Sequence, residues 1–522
     1  MTIRTRFAPS PTGYLHIGGV RTALFCWLFA RSKGGKFILR IDDTDRQRNV
    51  EKALQPILHG LHWLGIEWDE GPEVEGPFAP YYQSRRAANH KAAVEKLLGA
   101  GLAYRDYAKT EEIRAEREAA VAEKRPFVYS RTWMAETPEQ EAAFEAEGRQ
   151  GVVRLKMPRE GKLVIDDLVR GRVEFDWAQE QDHVIQRADG SCLYHLASVV
   201  DDHDMEITHA IRAEEHLSNT PRQIFIARGL GYELPQYAHL PYVAAPGGKS
   251  KLSKRKLKEY LKNPDFAKMV KHGREIADAI GLQTDPETFN PVIVDFYEKV
   301  GYLPEAIVNY LALLGWSLDD KTEHFTRDEL VEHFTLDRVN KAPASFDCQK
   351  LMAFQDRHMQ GLPLEEKTEL VTPLLYDAGL LEWIYPCQVD GLVSHILDIC
   401  GDRIKVAGDI FTYAKFFFVA DDELEYDEKA FDKRLRKPPE VVELLKKFRQ
   451  RVDEARSFEP ADLEKMMHDF VESEGIKIGQ IIHAVRIAIT GQAIGPGMFD
   501  CMEIFGRERC LDRIDRALER VQ

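Results

Sequence analysis

Residues 3–41 carry the pattern that most constrains the fold, because the spacing of their hydrophobic positions changes twice. Ile3, Thr5 and Phe7 alternate with arginines, which predicts a β-strand. A loop rich in proline and glycine follows over residues 8–19, and the next hydrophobic residues have helical spacing: Val20, Ala23, Leu24, Trp27 and Leu28. Residues 37–41 predict a second strand, before an acidic turn over residues 42–45. Strand, helix and parallel strand form a βαβ unit, whose ligands bind at the carboxyl ends of the strands.

The rest of the chain changes its pattern three times. Residues 108–148 are charged and helical in spacing, residues 150–195 alternate like strands, and an α/β pattern returns from residue 194. After about residue 300 the hydrophobic periods are nearly all helical. We therefore predict a multi-domain protein with an α/β Rossmann-type domain that is split by an α+β insertion and followed by mainly α-helical regions. The predicted boundaries are 1–100 and 194–245 for the split domain, 101–193 for the insertion, 246–345 for the next region and 346–522 for the helical domains.

Composition excludes several classes of protein. The 522 residues include 71 Lys and Arg against 86 Asp and Glu, a net charge of −15, and 44% are hydrophobic. Collagen-like, disordered and very small folds do not fit these values. No stretch reaches the roughly 18 apolar residues of a membrane helix, and the first residues lack the apolar core of a secretory signal. We expect a cytoplasmic protein without membrane contact.

Cysteine usage and charge limit the partners. The seven cysteines are scattered and form no C-x-x-C pair, so neither a disulfide framework nor a cysteine-rich zinc site is predicted. The acidic balance at first disfavours a nucleic-acid partner, since phosphate binding needs lysine and arginine. The local distribution of charge has to decide that question.

The loop between the first strand and the helix is a candidate anion site. The first N–H groups of the helix point toward it, and His16 can donate a hydrogen bond to a phosphate. Gly13, Gly18 and Gly19 let a nucleotide approach the backbone closely. A tight crossover with one surface histidine would explain the same residues, so both interpretations stay open for the loop alone.

Residues 249–258, KSKLSKRKLK, form the second candidate site, with six basic residues in ten and no acid. A run of this kind usually forms a solvated face. Here it follows Gly247 and Gly248, and Lys251 and Lys254 lie three residues apart. Their ammonium groups could therefore converge on a triphosphate.

Together these two segments resemble the paired signatures of class I aminoacyl-tRNA synthetases, here HIGG at residues 16–19 and KLSKR at residues 251–255. Four longer segments are similar to the bacterial type of glutamyl-tRNA synthetase: FAPSPTGYLHIGGVRTALFCWLFAR, GGKFILRIDDTD, LYHLASVVDDHDMEITHAIRAEEH and KLSKRK. Weaker similarity covers GYLPEAIVNYLALLGWS, FDCQKL and IKIGQIIHAVRIAITG, so the resemblance extends over nearly the whole chain.

The resemblance implies an ATP-dependent ligase that joins L-glutamate to tRNA(Glu) through a glutamyl-adenylate. ATP would be a substrate and would carry Mg²⁺, the insertion would bind the tRNA acceptor end, and the helical regions would contact the tRNA stem and anticodon. A monomer is expected, and charging of tRNA(Gln) as well stays open. The implied catalytic residues are His16, Lys251 and Lys254. The implied ATP-binding residues are Ser10, His16, Gly18, Gly19, Lys251, Ser253 and Lys254, and the implied glutamate-binding residues are Arg6, Ala8, Ser10, Asp42, Tyr194, Ser198 and Arg212.

Charge requirements agree with these roles. Glutamate has two carboxylates and one ammonium group, so a selective pocket needs fixed cations and one anion. Arg6 and Arg212 suit the carboxylates, because a guanidinium binds two oxygens at once. As an alternative, Arg212 could pair on the surface with Glu214 or Glu215, and Tyr194 could belong to the core.

Four features depart from the family pattern. Asp42, which would hold the ammonium group, stands where the family usually has Glu, and Ser198 stands where it has Asn. Gly19 replaces a second histidine, as bacterial glutamyl enzymes tolerate. The stretch at about 257–294 is longer than the family leads us to expect, by about one helical hairpin.

Two possible metal sites are not favoured. The run Asp201-Asp202-His203-Asp204 has no second ligand cluster at a defined spacing, so we expect hydrogen-bonded structural residues there. The zinc site that some relatives carry in the inserted domain needs cysteines, and residues 108–150 contain none. We therefore expect no zinc and no protein-held metal.

Basic residues on helical elements of the C-terminal half are candidates for RNA contact. Ordinary solvation of helices is the alternative, because acids such as Glu440 and Glu443 lie among them. The candidates are residues 433–437 (KRLRK), Lys446, Lys447, Arg449 and Arg451.

Three other functions compete with glutamyl transfer to tRNA(Glu). A glutaminyl-tRNA synthetase would carry β-barrel anticodon domains instead of helices. A truncated relative that glutamylates a modified tRNA base would lack the anticodon half. A catalytically silent tRNA-binding homologue would not need His16, Lys251 and Lys254, which are all present.

Overall fold

The structure, a computed structural model, describes residues 2–11, 13–44, 50–125, 127–382 and 384–521. The predicted acidic turn ends at Asp45, which lies outside these residues. The chain forms two compact units. The first runs to Ala267 and includes Pro291–Asp295 and Pro304–Lys350, and the second comprises Lys268–Asn290, Phe296–Leu303 and the chain from Leu351.

The first unit begins with the predicted strand, helix and strand. Its elements up to residue 99 are β1 (Arg4–Phe7), α1 (Ile17–Ser32), β2 (Lys36–Leu39), α2 (Val50–Trp63) and α3 (Ala87–Gly99). β1 and β2 are parallel, with Arg4 opposite Lys36 and Phe7 opposite Leu39. The βαβ prediction is therefore confirmed.

Helix α1 differs from the predicted helix with one apolar face, because it is buried on several sides. All five predicted positions are buried, and so are Phe25, Cys26 and Phe29. The ring of Phe25 packs edge-on against Phe334, with 5.1 Å between centroids. A helix enclosed on more than one side carries apolar residues around most of its circumference.

The insertion has mixed α+β character, as predicted. Its elements are β3 (Ala103–Asp106), α4 (Thr110–Ala122), α5 (Pro138–Ala146), β4 (Val152–Leu155), β5 (Lys162–Asp167), β6 (Gly171–Asp176) and β7 (Val184–Gln186). β3, β4 and β7 form an antiparallel sheet, and β5 and β6 form a hairpin.

The chain then completes the parallel sheet. The next elements are α6 (Tyr194–Asp204), β8 (His209–Ala213), α7 (Thr220–Leu230), β9 (Gln236–Leu240) and β10 (Val243–Ala244). The strand order is β2-β1-β8-β9, and all neighbours are parallel. The insertion thus separates the two halves of one sheet, whose carboxyl ends all face the same edge.

The segment after the sheet contains α8 (Leu257–Tyr260), α9 (Pro264–Ala279), α10 (Val294–Val300), α11 (Pro304–Ala312), α12 (Arg327–His333) and β11 (Ala344–Ser345). The predicted extra stretch at 257–294 forms α8 and α9. Within the second unit, His272 on α9 lies 2.8 Å from the Asp409 carboxylate.

From residue 351 onward, the regular elements among the described residues of the second unit are all helices. Its helices are α13 (Cys348–Gly361, which begins in the first unit), α14 (Leu364–Asp377), α15 (Pro386–Cys400), α16 (Ile410–Tyr413), α17 (Glu428–Phe431), α18 (Pro439–Asp453), α19 (Pro460–Glu474), α20 (Ile482–Thr490) and α21 (Met498–Val521, kinked at Gly506). Across the described parts of the chain, no helix combines the length and apolar character needed to cross a bilayer.

Candidate active site

A cavity of about 350 Å³ opens at the carboxyl ends of the parallel strands, where the βαβ pattern predicts a ligand crevice. Residues that follow β1, β2, β8 and β9 all contribute to its wall. The wall contains every residue predicted for the site except Ser253 and Lys254: Arg6, Ala8, Ser10, His16, Gly18, Gly19, Asp42, Tyr194, Ser198, Arg212 and Lys251. Residues from distant parts of the sequence therefore meet at one cavity.

His16 caps the amino end of α1 and faces the cavity. Its backbone is extended, and its Nδ1 accepts a 3.0 Å hydrogen bond from the Gly19 N–H. Desolvation in the cleft lowers the pKa of His16 to about 4, and Lys254 and Lys251 act in the same direction. At neutral pH the ring is uncharged and, since Nδ1 accepts, its proton lies on Nε2. His16 can therefore donate a hydrogen bond to a ligand without carrying charge.

The loop before His16 depends on one glycine. Gly13 has a φ of +118°, a backbone conformation that residues with a Cβ rarely adopt. This conformation lets the chain turn from β1 into the first turn of α1, whose N–H groups face the cavity side of the loop.

The lysine segment is fixed by its backbone. The Leu252 N–H donates to the Val243 carbonyl at 2.8 Å, which aligns the segment with β10. Lys251 forms an ion pair with Glu215, and Lys254 Nζ donates to the Tyr14 carbonyl at 2.8 Å. Both ammonium groups therefore lie close enough to His16 to influence its pKa. Lys254 does not itself line the cavity but contacts Tyr14, which does, and burial lowers the pKa of Lys254.

Arg6 and Asp42 belong to one buried ion network. The Asp202 carboxylate accepts from Arg6 Nε at 3.1 Å and from Arg40 Nη1 at 2.6 Å, and Arg40 Nε donates to Asp42 at 2.8 Å. Two cations and two anions thus balance each other. Burial raises the pKa of Asp42 to about 6, although Arg40 acts in the opposite direction. Asp42, the predicted partner of an ammonium group, therefore shares its carboxylate with Arg40.

Arg212 has a different environment, because it donates only to neutral acceptors. Its guanidinium reaches Gln223 Oε1 at 2.6 Å, Thr220 Oγ1 at 3.1 Å and His239 Nε2 at 3.0 Å. It is 7% exposed, and burial lowers its pKa. Among the described residues no carboxylate lies within 4 Å of it. A buried cation in a cavity wall favours an anionic ligand as its counter-charge.

The surface-pairing alternative for Arg212 is wrong. The carboxylate of Glu214 pairs with Arg170, and that of Glu215 pairs with Lys251. Both carboxylates are thus engaged elsewhere, while Arg212 is buried and lines the cavity.

Tyr194 and Ser198 reach the cavity from α6. Tyr194 is half-buried in the wall instead of lying in the core, and its hydroxyl is 3.4 Å from His216 Nδ1. Ser198 is 3% exposed, and its hydroxyl has no hydrogen-bond partner within the described part of the protein. Both hydroxyls are available to a polar ligand.

Arg40, Glu215 and His216 are among the wall residues that sequence reasoning missed. Arg40 directly follows β2, and a charged residue at the end of a buried strand is the available signal. The sequence indicates Glu215 only as an alternative partner for Arg212. His216 gives no local signal, because its distance from Tyr194 depends on the packing of α6 against the end of β8.

The acidic run Asp201-Asp202-His203-Asp204 forms the end of α6, and its side chains have partners within the protein, as predicted. Asp201 accepts from Arg86 at 2.7 Å and lies 2.9 Å from His90 Nε2. Asp204 also pairs with Arg86, and the His203 ring stacks on Tyr232 with 3.5 Å between centroids. These side chains already have protein partners, and no cluster suited to a metal ion occurs among the described residues.

The basic residues of the C-terminal half fall into two groups. Four of them form ion pairs: Arg436 with Asp432, Lys446 with Glu443, Lys447 with Glu474 and Arg449 with Asp515. Four others have no ion-pair partner within the residues described: Lys433, Arg434, Lys437 and Arg451. The second group is the better candidate for contact with RNA phosphates.

Two family models match most of the chain. The family model described as "tRNA synthetases class I (E and Q), catalytic domain" matches residues 2–271 and 289–353, and that described as "Anticodon binding domain" matches residues 366–518. The residues between the two catalytic-domain segments, 272–288, lie inside the stretch predicted to be extra.

Relatives extend over the whole chain. A glutamate–tRNA ligase of Moorella thermoacetica is 41% identical over 515 residues, 99% of this chain and 98% of the relative. Glutamate–tRNA ligase 1 of Caldanaerobacter subterraneus subsp. tengcongensis is 41% identical over 521 residues, 100% of this chain and 98% of the relative. A crystal structure of a glutamate tRNA ligase from Elizabethkingia meningosepticum, in complex with its amino acid, has a TM-score of 0.82 at 32% identity and covers 100% of both chains.

Proposed function

Because the chain belongs to the glutamate–tRNA ligases of class I, we propose that it attaches L-glutamate to tRNA(Glu), using ATP and releasing AMP and diphosphate, in protein synthesis. One observation carries the proposal. The cavity unites a neutral histidine donor and Lys251 with Arg6 and Arg212, at the carboxyl ends of a parallel sheet.

Glutamate would bind in the inner part of the cavity. Arg212 would take a carboxylate as its missing counter-charge, and Arg6, already paired with Asp202, would contact the other. Asp42 would accept the ammonium group, in competition with Arg40. Tyr194 and Ser198 would supply hydroxyls, and Ala8 and Ser10 would form the floor beside them.

ATP would bind over the amino end of α1. Gly18 offers an N–H group there, Gly19 leaves room for the ligand beside the backbone, and His16 offers a neutral donor. Lys251 and Lys254 would neutralise the triphosphate, with Ser10 and Ser253 beside it. Mg²⁺ would enter as part of the MgATP substrate, and no resident metal is invoked.

The first chemical step needs alignment more than proton transfer. The α-carboxylate oxygen of glutamate attacks the α-phosphorus of ATP, the bond to the β-phosphate oxygen breaks, and diphosphate leaves. The carboxylate is already ionised at neutral pH, so it needs no general base. His16 and the two lysines would stabilise negative charge that develops on the phosphates.

The second step transfers the glutamyl group to tRNA. A ribose hydroxyl at the tRNA 3′ end attacks the acyl carbon of the adenylate, the bond to the phosphate oxygen breaks, and AMP leaves. The hydroxyl proton passes to the departing phosphate or to solvent. We place this reaction in the cytosol and expect the enzyme to act as a monomer.

ATP–diphosphate exchange in the presence of tRNA tests the proposal. Glutamate should support exchange, and glutamine should not. Exchange with glutamine instead would indicate the glutaminyl enzyme, which the helical residues after 351 and the match to an anticodon domain disfavour. No exchange with either amino acid would indicate a silent homologue. Charging of purified tRNA(Glu) and tRNA(Gln) separates a discriminating enzyme from one that uses both tRNAs.

A further inference from the structure

The insertion hairpin reaches the parallel sheet behind the cavity. Its β5–β6 turn follows Asp167, and the Leu168 N–H donates to the Tyr237 carbonyl of β9 at 2.9 Å. Two residues further along β9 lies His239. The side chains of Asp167 and His239 are both fully buried, and their ring nitrogen and carboxylate oxygen are 2.6 Å apart. Neither residue belongs to the cavity wall.

The two carboxylate oxygens of Asp167 have separate partners. Oδ1 accepts three backbone N–H groups, from Val169 at 3.0 Å, Arg170 at 2.8 Å and His239 at 3.2 Å. Oδ2 faces His239 Nδ1. The three N–H donors require an oxygen at the Oδ1 position, so an amide side chain at residue 167 could be held in only one orientation.

The protonation of His239 follows from its second neighbour. Arg212 Nε is 3.0 Å from His239 Nε2, and an arginine nitrogen only donates. His239 Nε2 must therefore accept, and its proton must lie on Nδ1, where it is donated to Asp167. A protonated ring would oppose N–H to N–H at Arg212. Burial lowers the pKa of His239, which favours the neutral ring that this arrangement requires.

We propose that Asp167 and His239 are positioning residues for Arg212, and that the insertion thereby determines how the cavity holds a glutamate carboxylate. Asp167 selects the imidazole tautomer, and that tautomer fixes Nε of the guanidinium. The remaining Arg212 nitrogens are then held by Gln223 and Thr220. The proposal rests on the proposed function, in which Arg212 binds a glutamate carboxylate.

Asp167→Asn tests the relay with almost no change of shape. The three backbone donors keep the amide oxygen at the Oδ1 position, so the amide NH₂ faces His239 Nδ1. The imidazole proton must then move to Nε2, where it opposes the Arg212 N–H. We expect the KM for glutamate in tRNA-dependent ATP–diphosphate exchange to rise about ten- to hundredfold, the range for hydrogen bonds to charged groups, while the KM for ATP stays within about twofold.

A second substitution should restore the acceptor. In His239→Gln the side-chain oxygen can take the position of Nε2 and accept from Arg212 whatever residue 167 is. The double variant D167N/H239Q should therefore have a lower glutamate KM than D167N. A purely structural role for the buried pair predicts the opposite, because the double variant loses more of the native contacts.

Asp182→Asn is the matched control. Asp182 is an equally buried carboxylate of the insertion, but it pairs with Arg131 and accepts from Tyr104. D182N should leave the glutamate KM within about twofold, whatever it does to the melting temperature. If D167N does not fold, His239→Gln and His239→Leu give the same comparison, since only the glutamine keeps an acceptor for Arg212.

Arg212→Lys separates the two levels of the proposal. If R212K raises the glutamate KM but D167N leaves it unchanged, the relay is overturned and the carboxylate site stands. If R212K also leaves it unchanged, both the carboxylate site and the relay are overturned. A rise in the KM values for glutamate and ATP together in D167N would also overturn the relay, because general damage to the cavity would account for it.

Discussion

Two substitutions of His16 separate its two roles, as the cap of α1 and as a hydrogen-bond donor to the substrate. His16→Asn keeps a side-chain acceptor for the Gly19 N–H, since asparagine is a good residue at the amino end of a helix. It removes the Nε2 donor, because the asparagine side chain is too short to reach the same point. His16→Ala removes both contacts. Comparison of the two variants therefore distinguishes stabilisation of α1 from participation in the reaction.

The expected magnitudes differ clearly. Loss of the helix cap in H16A should cost about 1 kcal/mol of unfolding free energy, whereas H16N should stay within about 0.5 kcal/mol of the parent. Loss of one donor to charge that develops in the transition state should cost about 3 kcal/mol, or about 100-fold in rate. Both variants should therefore lose exchange activity, and only H16A should lose stability.

The assays are tRNA-dependent ATP–diphosphate exchange and urea unfolding. Since the pKa of His16 is lowered to about 4, its neutral form predominates above about pH 5, and its titration should contribute no acid limb to the exchange rate between about pH 6 and pH 8. Exchange by H16N at the parent rate would refute the donor role. Equal stability of H16A and H16N would refute the cap.

Three further predictions concern other parts of the molecule. Lys254→Ala should depress adenylate formation much more than tRNA binding, and an unchanged exchange rate would contradict its role at the triphosphate. Burial raises the pKa of Asp42 to about 6, so its side chain gains the negative charge that attracts an ammonium group as the pH rises. The glutamate KM should therefore fall from about pH 5 to pH 7, and Asp42→Asn should abolish that pH dependence. If Lys433, Arg434, Lys437 and Arg451 contact tRNA phosphates, the logarithm of tRNA affinity should fall with the logarithm of salt concentration at a slope of about −3. Filter binding measures this affinity, and an affinity that does not change with salt would refute those contacts.

Local patterns predicted the elements that place the site. The alternation of Thr5 and Phe7 with arginines identified β1, and the glycines around His16 identified the loop before α1. Each of these signals depends on neighbours in sequence, and the parallel order of the sheet follows from general rules of chain connection. The resemblance to known synthetases then supplied roles that spacing alone left open.

Contacts between distant residues could not be predicted in this way. Asp167 and His239 are 72 positions apart, and neither lies in a motif. Arg40 pairs with Asp202 across 162 positions, and only the packing of α6 against the sheet brings them together. The sequence contains the residue types for such networks in many combinations, and tertiary packing selects one.

The net charge of −15 illustrates the same limit. It at first disfavours a nucleic-acid partner, yet the cavity wall contains four arginines, Arg6, Arg21, Arg40 and Arg212. In the structure, Arg6 and Arg40 are balanced by Asp42 and Asp202, so they add little net charge. Arg212 and Arg21, in contrast, donate only to neutral acceptors among the described residues, and Arg212 is the one predicted to bind glutamate. Attraction of a glutamate carboxylate should therefore depend less on the number of cations in the wall than on Arg212, for which the carboxylate supplies the missing counter-charge. We expect Arg6→Lys to raise the glutamate KM less than Arg212→Lys does.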